Sequence, residues 1–553
     1  MPDDPETFGG YFDSGSTWTT NSLTETRNDD YNVTSQAIAN YMGTFGSHNL
    51  TVMAGFENYY MKSESLGAAR DKYELTGYPY LNIGSEDFQT NSGTGSEYTS
   101  NSVFGRVIYS YADRYLFQAN VRHDGSSRFA KGYRWGTFPS FSAGWVASEE
   151  KFMKNLKWDW LSFLKLRGSW GMLGNERIGS NYFPYIALMS FGNSLFYMAD
   201  GSVVSDKTAR PAVLAVEDIT WETTTSTDLG LDVNFLNNRL QFHFDYYWKE
   251  TKDMLLNIEI PYFMGYNNPS TNAGKMSTHG YDIEVAWNDQ IGDFKYGVNV
   301  NFSDFLSKID YMNDGEQISG GKIKRAGVLF NEFYGYVCEG IYQTQEEVNN
   351  SARTSTTVTV GDLKYRDISG PDGVPDGVIS PEYDRVPLGN SLPRFQYGGS
   401  LNASYKGIDF SLAFQGIGKQ NSYLSTSMVQ PLRDNYGNVP AILEGKYWSP
   451  FNTTEENLAA KYPRLSNVSK SNNYATSNFW MFNGSYFRLK NITLGYTLPK
   501  SWTQKAGINR ARFYVSGSDL FCLSNFPSGW DPEMGTSDYP ITTSLVMGIQ
   551  VNF

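Results

Sequence analysis

The densest run of hard oxygen donors in the chain lies between residues 367 and 384. There Asp367, Asp372, Asp376 and Asp384 alternate with Gly370, Gly373 and Gly377 and with three prolines. Carboxylates spaced along a glycine-rich turn suit Ca2+, which takes many oxygen ligands in a flexible geometry. Asp376-Gly377-Val378-Ile379 fits the middle of an EF-hand-like pattern. Extra residues between Asp367 and Asp376, and an Asp384 that falls one position late, break its register. The competing reading is a Gly/Asp/Pro-rich turn held by Asx hydrogen bonds. Either way the expected role is structural, bracing a loop, and no cofactor other than this candidate Ca2+ is expected.

Catalysis has no comparable nucleus. The histidines, His48, His123, His243 and His279, are scattered, without an HExxH pair. No Gly-x-Ser-x-Gly elbow or P-loop occurs. His243 and Asp245 share one face of a segment, but such polar pairs are ordinary on a hydrated wall. Cys338 and Cys522 are too few for a disulfide scaffold or a Cys-based zinc cluster. The chain does not read as an enzyme.

These residues sit in a chain of 553 with 45 Lys+Arg against 58 Asp+Glu, a formal net charge of −13. That acidity, without a basic patch, argues against nucleic-acid binding. Charged residues make up 19%, while aromatics reach 16%, and 53 residues are Gly. A mean hydropathy of −0.45, with no apolar run of ~18 residues, excludes a transmembrane helix. It does not exclude a membrane strand, which needs only every second residue to be apolar.

Alternation with period two is the dominant signal. Leu229, Leu231, Val233 and Phe235 alternate with Asp228, Gly230, Asp232 and Asn234; after Leu236–Arg239 the pattern resumes at Leu240, Phe242, Phe244, Tyr246 and Trp248. This predicts a hairpin with one greasy and one wet face. Similar units run through 103–122 and 281–302. Further strands are predicted near 31–44, 49–62, 137–147, 162–173, 394–405, 408–417, 485–498, 510–521 and 541–553, about fifteen in all. The best short helix is Glu455–Lys461.

Strands of about ten to fourteen residues exceed the soluble average and match a tilted bilayer crossing. Connections alternate as well. Those at 236–239, 288–293 and 406–407 are short, whereas 64–100, 174–222, 250–278, 303–393 and 418–484 are long. The fold class predicted is all-β: a partial antiparallel transmembrane β-barrel with long extracellular loops and short periplasmic turns. A large soluble sandwich or propeller is the competing reading. The final strand, ending in Ile549, Val551 and Phe553, resembles the insertion signal of bacterial outer-membrane proteins, which the barrel assembly machinery reads.

Several blocks point further. Ser127-Arg128-Phe129 followed by Tyr133-Arg134-Trp135-Gly136-Thr137-Phe138-Pro139-Ser140 and Gly144-Trp145 resembles a run of the SusC/RagA family of TonB-dependent outer-membrane transporters. So do Leu166-Arg167-Gly168-Ser169-Trp170-Gly171, Trp221-Glu222 with Asp228-Leu229-Gly230, Tyr486-Phe487-Arg488-Leu489-Lys490-Asn491, and Ser516-Gly517-Ser518-Asp519-Leu520-Phe521. The resemblance runs from about residue 31 to the end, leaving 1–30 as a polar lead-in, with 31–553 as barrel. It implies an importer of oligosaccharides or peptides in the outer membrane of Bacteroidota, with membrane lipid around it. It also implies a SusD-like surface lipoprotein as lid, energy from the TonB complex, and about twenty-two strands around a plug.

The front of the chain shows no signal peptide, TonB box or plug. The expectation is a C-terminal half, inactive in coupled transport without a plug-bearing N-terminal half. A passive or structural outer-membrane barrel, porin or adhesin, is the alternative. A secreted soluble glycan-binding protein is a third reading.

Overall fold

A computed structural model of the protein describes residues 21–553, apart from 76, 157, 179–181, 188, 314, 434–437, 467 and 536–538. Fifteen strands form one antiparallel sheet in which each strand pairs with the next barrel strand along the chain. They are β1 (Ser22–Phe45), β2 (His48–Asp71), β3 (Gln89–Tyr111), β4 (Tyr115–Ser126) and β5 (Trp135–Val146). Next come β6 (Leu161–Asn175), β7 (Glu222–Phe235), β8 (Leu240–Asn257), β9 (Ser270–Ile291) and β10 (Phe294–Met312). The last five are β11 (Arg394–Tyr405), β12 (Ile408–Lys419), β13 (Tyr486–Thr497), β14 (Arg510–Ser524) and β15 (Ser544–Asn552). Among the described residues β1 pairs only with β2 and β15 only with β14, so the sheet has two free edges.

The alternation in the sequence becomes two faces. Leu494, Val515 and Met547 lie in register across β13, β14 and β15, as do Tyr496, Phe513 and Ile549. This face stays uncovered: Leu229 is 53% exposed and Met547 74%. A continuous exposed apolar face of this kind marks contact with a membrane. Asn, Asp, Arg, Gly and Ser occupy the opposite, inner face.

Several expected boundaries move. The lead-in expected at 1–30 ends early, because β1 is already strand from Ser22; residues 1–20 lie outside the described residues. β2 continues to Asp71 and β3 begins at Gln89, so the connection expected at 64–100 shrinks to 72–88. The turn expected at 288–293 tightens to the two residues 292–293, and the 250–278 connection shortens to 258–269. Strand pairing, once started, continues through polar sequence wherever a neighbour offers matching backbone groups. The short helix spans Thr454–Leu458 and opens with a capping box between Thr453 and Glu456.

The folded interior of the molecule lies in the loops. Tyr336, Leu363, Tyr365 and Ile379 from the 313–393 connection pack with Met428, Val429, Leu443 and Trp480 from 420–485. A four-stranded sheet formed by Glu316–Ser319, Lys322–Arg325, Glu332–Tyr336 and Arg385–Asn390 stiffens the first of these connections.

Candidate functional site: the inner wall and the loops above it

Arg167 on β6 is the hub of the charged part of the inner wall. Its Nη2 donates to Asp245 Oδ2 at 2.7 Å and its Nε to Asp232 Oδ1 at 3.3 Å, with Asp228 Oδ1 3.6 Å from Nη1. The register shows how it reaches so far. Arg167 faces Gly230 on β7, and Gly230 faces Asp245 on β8. A Cβ at position 230 would sit 2.4 Å from the Arg167 guanidinium carbon. Only glycine there lets the side chain lie across a whole strand. His243 does not pair with Asp245; its Nδ1 lies 2.9 Å from Asp232 Oδ1.

From β10 to β14 the middle of the wall changes character. Asn299, Asn301 and Ser303 on β10 face inward, followed by Gln396, Ser400 and Asn402 on β11 and by Ser411 and Gln415 on β12. Asn491 and Thr493 on β13 hydrogen-bond Ser516 on β14 at 3.2 and 2.8 Å. Charges return only at the ends. Arg394 pairs with Asp304 on the long-loop side, and Arg512 with Asp409 beside the short turns.

Above this wall the 525–543 connection is pinned by Arg488, which is 3% exposed. Its Nη2 lies 2.6 Å from Asp531 Oδ2 and its Nε 2.6 Å from Glu533 Oε1, while Lys490 meets Asp519 at 2.7 Å. Burial pushes the Asp531 carboxyl up, but hydrogen bonds from Arg488 and from the Glu533 amide outweigh it and leave it below its ordinary range.

The two largest loops are joined through one carboxylate. Asp362, fully buried, accepts from Arg464 Nε at 2.7 Å, Ser469 Oγ at 2.8 Å, Asn473 Nδ2 at 2.9 Å and the Thr359 amide at 2.9 Å. Four partners satisfy the charge without water. Beside it Tyr365 donates to the Asn472 carbonyl at 2.6 Å, and burial raises its phenol well above the usual range. Burial likewise pushes the Cys338 thiol up to about 11. Trp480, an aromatic suited by type to stacking on a sugar ring, is 1% exposed and stacks on Tyr462 and Tyr474 instead.

The aspartates expected to hold Ca2+ are drawn in large part into backbone hydrogen bonds. Both Asp384 oxygens are taken by backbone amides, Oδ1 by Ile368 at 2.7 Å and Ser369 at 3.2 Å, Oδ2 by Ser380 at 2.7 Å. Asp367 Oδ2 accepts from the Gly377 amide at 2.7 Å and Asp376 closes an Asx turn onto Val378 at 2.9 Å. Asp372 is exposed. Among the described residues no three acidic, His or Cys side chains converge as metal ligands. Asp384, Asp376 and one oxygen of Asp367 thus brace the loop through backbone amides, while Asp367 Oδ1 is buried without a partner among the described residues. Ile549, Val551 and Phe553 continue the apolar outer face along and just beyond the edge strand β15.

Long antiparallel strands with an apolar outer face, a hydrated inner face, tight turns on one rim and folded loops on the other define a bacterial outer-membrane β-barrel wall. The chain belongs to the TonB dependent receptor-like, beta-barrel family, whose profile matches residues 3–516. TonB-dependent receptor P3 of Formosa agariphila is 30% identical over 94% of this chain and 52% of its own length. TonB-dependent receptor SusC of Bacteroides thetaiotaomicron is 28% identical over 95% of this chain and 50% of its own. The fold is also that of a solved RagAB peptide transporter, with a TM-score of 0.78 and 24% identity over 97% of this chain and 56% of that one. The chain thus spans about half the length of the curated relatives it matches. These relatives are receptors and transporters rather than enzymes, and the family resides in the bacterial outer membrane.

Proposed function

We propose that the chain forms the barrel-wall portion of a TonB-dependent importer that draws oligosaccharides or peptides across the outer membrane. The observation that carries this reading is the join between a continuous hydrated inner wall and a folded loop assembly on one rim only. Such a wall offers a polar path, and the loops offer a surface on which a SusD-like lipoprotein can seat. The free edges of β1 and β15 fit a sheet that closes through further strands. Coupled transport then needs a plug-bearing segment in addition to these fifteen strands. Ile549, Val551 and Phe553 serve as the insertion signal for the barrel assembly machinery.

Uptake of fluorescent oligosaccharide and peptide libraries into cells making the protein from its own gene tests this. Accumulation should stop when TonB is deleted. Uptake that persists without TonB would establish a passive pore instead.

A further inference from the structure

The uncharged part of the inner wall holds a recess of about 530 Å3 between β10, β11 and β12. That volume lies within the usual range of small-ligand sites. We propose that it is a subsite for one or two sugar units of a neutral, hydroxyl-rich oligosaccharide. The proposal rests on the importer reading above and narrows its substrate class.

Three observations converge. The recess owes its depth to Gly398, which faces Asn301 on one side and Gln415 on the other. A Cβ there would approach Asn301 Oδ1 to 3.2 Å, so any larger residue would begin to fill the space. Its rim is made of Asn301, Ser303, Gln396 and Ser400. Amides and hydroxyls both donate and accept, which matches the dual character of a sugar hydroxyl. None of these four enters the side-chain hydrogen bonds that tie together Asn299 with Glu284 or Asn491 with Ser516.

The charge pattern then selects among ligands. No ionised side chain lines the recess. The nearby cations are already occupied, Arg394 with Asp304 and Arg488 with Asp531 and Glu533, and the carboxylates of Glu284 and Glu533 stand one hydrogen bond behind Asn299 and Gln415. A uronate or a peptide carboxylate entering the recess would lose water and meet only further carboxylates behind Asn299 and Gln415. A neutral sugar would exchange water for amides of similar strength.

The test labels a cysteine in the recess, Ser400→Cys, in outer membranes of cells making the protein from its own gene, with Cys338→Ser and Cys522→Ser to remove background. Maltoheptaose, cellohexaose and mannohexaose are the neutral probes; hexagalacturonate and hexaalanine are the charged and peptide probes. At least one neutral probe should slow maleimide labelling about five-fold or more, the effect of a few amide hydrogen bonds. The other two classes should leave it unchanged. Adding Asn301→Leu and Gln396→Leu should abolish the protection, while a Gln241→Cys control on the charged sector should show none. Equal protection by hexaalanine or hexagalacturonate overturns the proposal. So does protection by no neutral probe, or an unliganded Ser400→Cys that never labels because protein covers the wall. Protection is an equilibrium measurement that needs no TonB, so a failure of energised uptake in the same cells would strike the importer reading and leave the subsite standing.

Discussion

The loop assembly and the barrel wall are built on opposite principles, although one chain weaves through both. In the loops, Trp480, Leu443 and Val429 are buried to within 1% of full exclusion around a satisfied Asp362. In the wall, apolar side chains as large as Leu229 and Met547 are left uncovered, and the charged ones face a hydrated interior. The loops are held as a soluble domain is, by dry packing; the wall is held by its ladder of backbone hydrogen bonds and by lipid. The same kind of substitution should therefore have very different effects in the two regions.

The sharpest break is Asp362→Ala. It leaves the buried Ser469 and Asn473 and the quarter-exposed Arg464 guanidinium without their acceptor and should destabilise the loop assembly by about 3 kcal/mol. Limited proteolysis of intact outer membranes should show cleavage within 313–393 and 420–485 while the wall keeps its heat-modifiable migration; loops that stay resistant would contradict the comparison. Next comes Leu229→Arg, which puts a cation on the lipid face in the middle of β7 and should cost roughly 2–4 kcal/mol. Urea unfolding in liposomes reads that loss. Its neighbour in sequence gives the counterpart: Asp228→Asn, on the hydrated face beside Arg167, should shift the same unfolding curve by less than about 1 kcal/mol. If the two adjacent substitutions had equal effects, the assignment of faces would be wrong. The smallest effect is kinetic. With its pKa pushed up to about 11, Cys338 should resist alkylation by iodoacetamide at pH 8, where only about one thiol in a thousand is ionised. Labelling should rise steeply only toward pH 11, unless the core around it opens.

The wall was legible in the sequence because a membrane strand needs opposite chemistry on alternate residues, and the run from Thr225 to Lys249 displays it on both sides of a single turn. The turns at 236–239 and 406–407 lie where the alternation stops, and the strand Arg394–Tyr405 lies where it was expected. The pattern fails where the strands run on beyond the apolar band. Lys62–Arg70 and Gln89–Glu97 pair residue for residue, yet they are rich in Ser, Gly and Thr and carry no period. The loop core was hidden for another reason. Asp362 and Asn473 meet across more than a hundred residues of sequence, and no local spacing announces such a contact. The aspartates at 367–384 carry two readings at once, since spacing that suits an ion also suits the amide bonds that Asp367, Asp376 and Asp384 make. Gly230 was visible as one residue in an alternating strand, but its role as a passage for Arg167 needed the register.

The pairing order of the strands also bears on how the wall forms. Several neighbours are joined by two to four residues, but β10 meets β11 only after the 313–393 excursion and β12 meets β13 only after 420–485. A connection roughly forty times longer than a two-residue turn adds about 3 kcal/mol of closure entropy. Because Asp362 from one excursion is held by Arg464, Ser469 and Asn473 from the other, the two closures are not independent. Docking the loops onto each other brings both ends of the β11–β12 hairpin to their neighbours at once. The knot of side chains outside the bilayer thereby acts as a clasp that holds both long excursions as one unit over the middle of the sheet.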